Sequence, residues 1–131
     1  MDNKKNNDMT TLLLVRHGET VDNVRQIMQG QTQGKLTPNG IEQARALAAE
    51  LKDTPIDVFV SSDLKRAFDT CVILAAAHGV APDAIVQTKL LRERDWGSFT
   101  GRFIPDLKDA VWTDDIESLD ALRARAAAFL Q

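Results

Sequence analysis

The chain has 131 residues, of which 44% are hydrophobic and 27% charged, and its formal net charge is −3. That length and apolar content suit one domain with a real core, and the mild negative charge excludes a global attraction to nucleic acid or to an anionic membrane surface. The single cysteine, Cys71, excludes an internal disulfide; the polar start lacks the apolar stretch of a secretory signal, and no run approaches the roughly 20 apolar residues of a spanning helix, so a cytoplasmic location is expected.

Residues 1–9, rich in Asn, Lys and Asp, are expected to be a flexible leader, and residues 10–131 a single domain. Residues 11–16 form a short apolar run with no helical period, which predicts a buried strand. Residues 17–35 are polar, carry Gly18, Gly30 and Gly34, and predict a long functional loop with about one helical turn. Thr37 and Pro38 then make a good helix start, as N-cap and first helical position. Ile41, Ala44, Leu47, Ala48 and Leu51 share one face of that helix, which should end near Asp53. Residues 56–61 predict a second buried strand. Ser62 is expected to cap a helix whose apolar face holds Leu64, Ala67, Phe68, Cys71, Leu74 and Ala75, with Gly79 as its C-terminal stop. Residues 85–90 predict a third strand and residues 91–108 an irregular stretch. A last helix is expected from Asp114, with Glu117 in a capping box and with Leu119, Leu122, Ala126 and Phe129 as its inner stripe. Strands alternating with helices imply an α/β fold with right-handed crossovers and a mostly parallel sheet. A crossover helix normally delivers a further strand, and none follows Gln131.

The chemistry concentrates at the ends of these strands. The first apolar run leads directly into Arg16-His17-Gly18, and the carboxyl ends of strands are where ligands bind in open α/β sheets. Arginine offers a planar fork of donors that suits phosphate oxygens. A neutral histidine can attack phosphorus when its other ring nitrogen is held by an acceptor. Asn23, in the loop that follows, offers an amide to a phosphate oxygen. After the second run, Ser62 and Arg66 fall at a helix N-terminus, where backbone N–H groups and the dipole favour an anion. After the third comes Leu91-Arg92-Glu93-Arg94-Asp95-Trp96-Gly97. All three clusters are expected at one edge of the sheet. In isolation, His17 would read as a strand cap and Glu93 as a surface carboxylate paired with Arg92 or Arg94; Glu19 and Asp95 read as structural.

In the order and spacing of these motifs, from about Thr11 to the last helix, the sequence resembles the histidine phosphatase superfamily, the phosphoglycerate-mutase-like group. The resemblance implies a three-layer sandwich with helices on both faces of the sheet. It implies that His17 becomes phosphorylated, that Arg16, Asn23 and Arg66 bind the phosphate, and that Glu93 protonates the leaving oxygen, with Gly18, Thr20 and Ser62 in support. The physical chemistry agrees: a phosphoryl group needs cations to balance the charge on its equatorial oxygens, and a carboxyl close to phosphate has its pKa raised by like charge, which suits an acid. The implied activity is hydrolysis or transfer of the phosphoryl group of a small phosphorylated metabolite, with no cofactor and no metal.

The sequence also departs from the family pattern. The family uses a second histidine in a later His-Gly motif after another strand. Here the remaining histidine is His78, which precedes Gly79 but ends a helix; it reads as a histidine favoured by the helix dipole. The chain is therefore expected to be a truncated form in which the C-terminal strand or strands are missing. Such a form should be weakly active or inactive and less stable than a complete homologue, with a sheet edge open to pairing in a homo-oligomer. Two alternatives stand beside the phosphatase reading. One is a phosphoglycerate mutase, which the absence of tyrosine and the short connection to Thr113 disfavour. The other is a non-catalytic phosphate-binding remnant.

Overall fold

A computed structural model of the chain describes residues 9–131, so the expected leader falls almost entirely outside the described residues. The element order is α1 (Val21–Arg25), α2 (Pro38–Leu51), β1 (Val60–Ser62), α3 (Lys65–Ala76), β2 (Val86–Thr88) and α4 (Leu119–Phe129), with short 3₁₀ turns between β2 and α4. The fold is α/β. Strands β1 and β2 pair in parallel, Val60 opposite Val86 and Ser62 opposite Thr88, and α3 makes the crossover between them, packing on β1 and on α2.

Local chemistry accounts for the first crossover. Thr37 adopts an extended conformation and its side chain accepts from the Gly40 N–H, with Pro38 just inside α2. Ala44 and Ala48 are buried on the face towards α3, which in turn buries Leu74 and Ala75. Small residues on both helices let their axes approach closely. Gly79 has φ +71° just beyond α3, and the Val80 N–H reaches back to the Ala75 carbonyl, so the stop expected there is present. A second core lies under the irregular stretch, where Phe99, Leu107 and Ile116 are buried together, with Met28 and Trp96 packed against them.

Four expectations need correction. Residues 11–16 are neither buried nor part of a ladder: Leu12, Leu13 and Val15 are about half exposed and Leu14 is 88% exposed. A strand is defined by its neighbour, and among the described residues the only sheet is the β1–β2 pair. The second and third strands are shorter than expected for the same reason, since each is ordered only where it meets the other. The cap of α3 is not Ser62, whose hydroxyl instead accepts from the Leu64 N–H within a tight turn. Leu64 occupies the cap position without a side-chain bond, and Gln33 satisfies the helix end, its side chain accepting from the Lys65 N–H and its carbonyl from the Arg66 N–H. The long loop thus closes the N-terminus that was expected to cradle an anion. Finally, α4 starts at Leu119 with Ser118 as its N-cap rather than at Asp114, because Glu117 is engaged elsewhere. No residue of α4 is fully buried; of its apolar stripe, Leu122 and Phe129 are partly buried, and Leu119 and Ala126 are exposed.

Candidate active site

The loop that carries His17 is pinned from both sides. The Gly18 N–H donates to Thr70 Oγ1 of α3 (3.1 Å), and the Glu19 N–H donates to Gln43 Oε1 of α2 (2.9 Å). Thr37 ties α2 back to the loop, its N–H donating to the Glu19 carbonyl and its hydroxyl to Glu19 Oε1. This contact requires two glycines. A Cβ on Gly18 would overlap the Gly40 carbonyl, and a Cβ on Gly40 would overlap the Glu19 carbonyl and lie 2.8 Å from the Glu19 nitrogen. Glu19 is therefore structural, as its sequence setting suggests.

His17 is half-buried, and both ring nitrogens have partners. Nδ1 lies 2.7 Å from the Gly18 carbonyl, which can only accept, so Nδ1 carries the proton. Nε2 then has its lone pair free to accept, and Arg66 Nε donates to it at 3.3 Å. Burial pushes the His17 pKa below 6.5; the bond to Gly18 and the charge of Glu93 oppose this, and the charges of Arg66 and Arg16 reinforce it. The imidazole is therefore mostly neutral at pH 7, with the tautomer that leaves Nε2 nucleophilic.

Arg66 is 2% exposed. Besides His17, its guanidinium donates to the Thr32 carbonyl (2.6 Å) and the Gly30 carbonyl (2.7 Å). Burial lowers its pKa, offset by the charges of Glu93 and Asp22, yet an arginine remains cationic. Arg16 is exposed and its charge reaches His17. Asn23 closes a capping box at the start of α1: its Oδ1 accepts from the Thr20 N–H while the Thr20 hydroxyl accepts from the Asn23 N–H. The side-chain oxygen of Asn23 is occupied there, so the group it can turn to a phosphate is its NH₂. Thr20 is fully buried and donates to Gln29 Oε1.

Glu93 is exposed, and its Oε1 accepts from the Arg94 N–H (2.7 Å). It forms no ion pair with either neighbouring arginine. Arg92 pairs bidentately with Asp63, 2.7 Å at each nitrogen, which holds the Asp63 carboxyl below its usual range. The Arg94 guanidinium lies over the rings of Trp96 and Trp112, 4.9 and 5.1 Å from their centroids. Glu93 is near enough to both His17 and Arg66 for its charge to raise the pKa of each.

Of the residues singled out from sequence, the fold sets Arg66 against the His17 imidazole and brings the charges of Arg16 and Glu93 to bear on it, while the Ser62 and Thr20 hydroxyls accept from backbone N–H groups. His78 lies apart, its ring 5.4 Å from that of Phe59. Cys71 is half-buried, and burial pushes its thiol pKa up, away from reactivity. Sequence reasoning missed Gln33, Asp63 and Arg125, for which no local signal exists, and gave Glu117 a capping role in place of its pairing with Arg125. Among the described residues no three His, Cys, Asp or Glu side chains cluster as a metal site would, and no helix is long and apolar enough to cross a membrane.

The depressed His17 pKa has a consequence for stability. The unfolded chain accepts a proton near pH 6.5 that the native state resists. The stability contributed by neutral His17 is therefore present above about pH 6.5 and lost as pH falls from there through the native pKa. Urea unfolding of wild type and His17→Asn from about pH 8 to about pH 5 should show a steeper acid loss in the wild type; parallel curves would contradict the depressed pKa.

The pattern of the histidine phosphatase superfamily (branch 1) matches residues 12–131. A metal-independent phosphoserine phosphatase of Arabidopsis thaliana is 38% identical over 104 residues, 78% of this chain and 42% of that protein. A 2,3-bisphosphoglycerate-dependent phosphoglycerate mutase of Methylorubrum populi is 33% identical over 105 residues, 79% of this chain and 49% of that protein. The chain thus spans about half the length of the curated relatives it matches. Among solved structures, a mycobacterial glucosyl-3-phosphoglycerate phosphatase in complex with VO3 superposes with a TM-score of 0.78 at 31% identity, covering 87% of this chain and 62% of that one. Sequence and fold agree, and the chain belongs to the histidine phosphatase superfamily, branch 1.

Proposed function

We propose that the chain carries the nucleophilic half of a phosphomonoesterase site, acting on a small phosphorylated metabolite through a phosphohistidine on His17. The observation that carries this reading is the state of the imidazole: neutral, Nδ1–H held by the Gly18 carbonyl, Nε2 turned to a buried arginine. Nε2 attacks phosphorus and the P–O bond to the leaving group breaks. Glu93, entering as the carboxylic acid, gives its proton to the departing alkoxide. Arg66 and Arg16, with the Asn23 amide, balance charge on the equatorial oxygens. Water then attacks the phosphohistidine, Glu93 takes its proton, and inorganic phosphate leaves with His17 neutral again. Substitution on both steps needs no cofactor.

The direct test is transfer of label from a phosphate-labelled donor to the protein, giving an acid-labile adduct located at His17 and lost in His17→Asn. Absence of label together with tight vanadate binding selects the second reading, a phosphate-binding module without turnover. The exposure of Leu12 to Val15, on the segment that delivers the nucleophile, favours that second reading for the chain taken alone. Interconversion of 2- and 3-phosphoglycerate in place of hydrolysis would select a mutase.

A further inference from the structure

Glu93 lies on a stretch with almost no regular structure, and its backbone is nevertheless held by many bonds that converge on one ion pair. Arg125 of α4 donates to three loop carbonyls: Nη1 to Leu90 (3.1 Å) and Arg92 (3.0 Å), and Nη2 to Glu93 itself (3.3 Å). The same guanidinium is gripped bidentately by Glu117, at 2.7 and 2.8 Å. Glu117 Oε1 also accepts from the Asp95 N–H (2.9 Å), its carbonyl accepts from Arg94 Nε (2.8 Å), and its N–H donates to the Asp95 carbonyl (2.8 Å). The pair is mostly shielded, with side-chain exposures of 21% and 12%, while the apolar residues Leu122 and Phe129 of α4 are only partly buried. From the opposite side, Gln31 Nε2 donates to the Glu93 carbonyl (3.2 Å), and the Arg92–Asp63 fork ties the loop to the turn after β1.

We propose that Glu117 and Arg125 are a positioning pair for the phosphatase reaction: the Arg125 fork fixes the backbone of residues 90–95 so that the Glu93 carboxyl faces His17. A planar fork with five donors can hold three carbonyls and a carboxylate at once, which a lysine cannot. The inference rests on the reading of Glu93 as the acid opposite His17.

The test is an NMR titration of the His17 imidazole in the full 131-residue chain, which needs no turnover. The charges facing His17 are Arg66 from α3, Arg16 from its own segment and Glu93 from the loop. Glu93→Gln is expected to lower the His17 pKa, because the carboxylate charge that raises it is lost. Arg125→Met is expected to lower it too, because a slack loop carries the Glu93 charge away, and to add nothing in the Glu93→Gln background. Direct loss of the Arg125 cation acts with the opposite sign, since removing positive charge raises a histidine pKa. If Arg125→Met leaves the pKa unchanged, raises it, or lowers it equally without Glu93, the positioning role is overturned. If Glu93→Gln itself has no effect, the acid reading fails first and the inference falls with it. Should Arg125→Met not fold, Arg125→Lys and Glu117→Gln decide the matter in the same way; wild-type pKa values in both would overturn the proposal.

Discussion

Arg66→Met is expected to weaken vanadate binding strongly, to raise the His17 pKa and to destabilise the fold by roughly 3 kcal/mol. All three effects come from one guanidinium. It is 2% exposed, and it donates to His17 Nε2 and to the carbonyls of Thr32 and Gly30. Methionine fills much of the same volume and supplies no donor, so a carbonyl buried beside it loses its partner, at about 1–3 kcal/mol for each unsatisfied group. At His17, both the charge and the donated bond favour the neutral ring, and removing them moves the pKa back towards 6.5. Among the described residues, the exposed Arg16 is then the remaining cation whose charge bears on the imidazole. A fall in vanadate affinity of about 100-fold or more, near 3 kcal/mol, is expected by calorimetry. Binding at wild-type strength would remove Arg66 from the anion site.

Gly40→Ala is the second large effect, and it contains no charge. The methyl group would enter the backbone of Glu19, whose position is set by bonds to Thr37 and Gln43. Overpacking against backbone typically costs about 1–3 kcal/mol, and the gain of roughly 1 kcal/mol from replacing a helical glycine offsets only part of it. A net loss on the order of 2 kcal/mol in urea unfolding is expected, with amide shifts concentrated at His17, Gly18 and Glu19. Gly79→Ala is the contrast. Its φ is +71° with nothing within 4 Å of an added Cβ, so it should cost about 1 kcal/mol through strain alone and leave the His17 amide where it was. If the two substitutions behave alike, the close approach of α2 to the loop is not what shapes the site.

These residues also separate what can be seen in a linear sequence from what cannot. Thr37-Pro38 and Gly79 were legible because a helix cap and a left-handed stop depend on the residue itself and its immediate neighbours. The Thr20–Asn23 box is equally local, but Asn23 was assigned to phosphate and its structural bond was overlooked. The cap on α3 was misplaced because Gln33, 32 residues before Lys65, outcompetes the nearby Ser62. The start of α4 was misplaced because Glu117 is committed to Arg125 and Asp95 rather than to a capping box. Apolar content alone made residues 11–16 a buried strand; burial and pairing depend on a neighbour that the described residues do not provide.

By itself the sequence determined the chemistry: a histidine between an arginine and a glycine after an apolar run, a second arginine after the next run, a glutamate after the third. Those identities are covalent facts, and the functional groups they supply do not depend on folding. Only the tertiary structure decided how they act. It set the tautomer of the imidazole, because the Gly18 carbonyl holds one side of the ring and Arg66 the other. It depressed the His17 pKa, because burial is a property of packing. It tied the loop of Glu93 to an ion pair on a helix some 30 residues away in sequence, because a flexible segment gains a single position only from groups that converge on it in space.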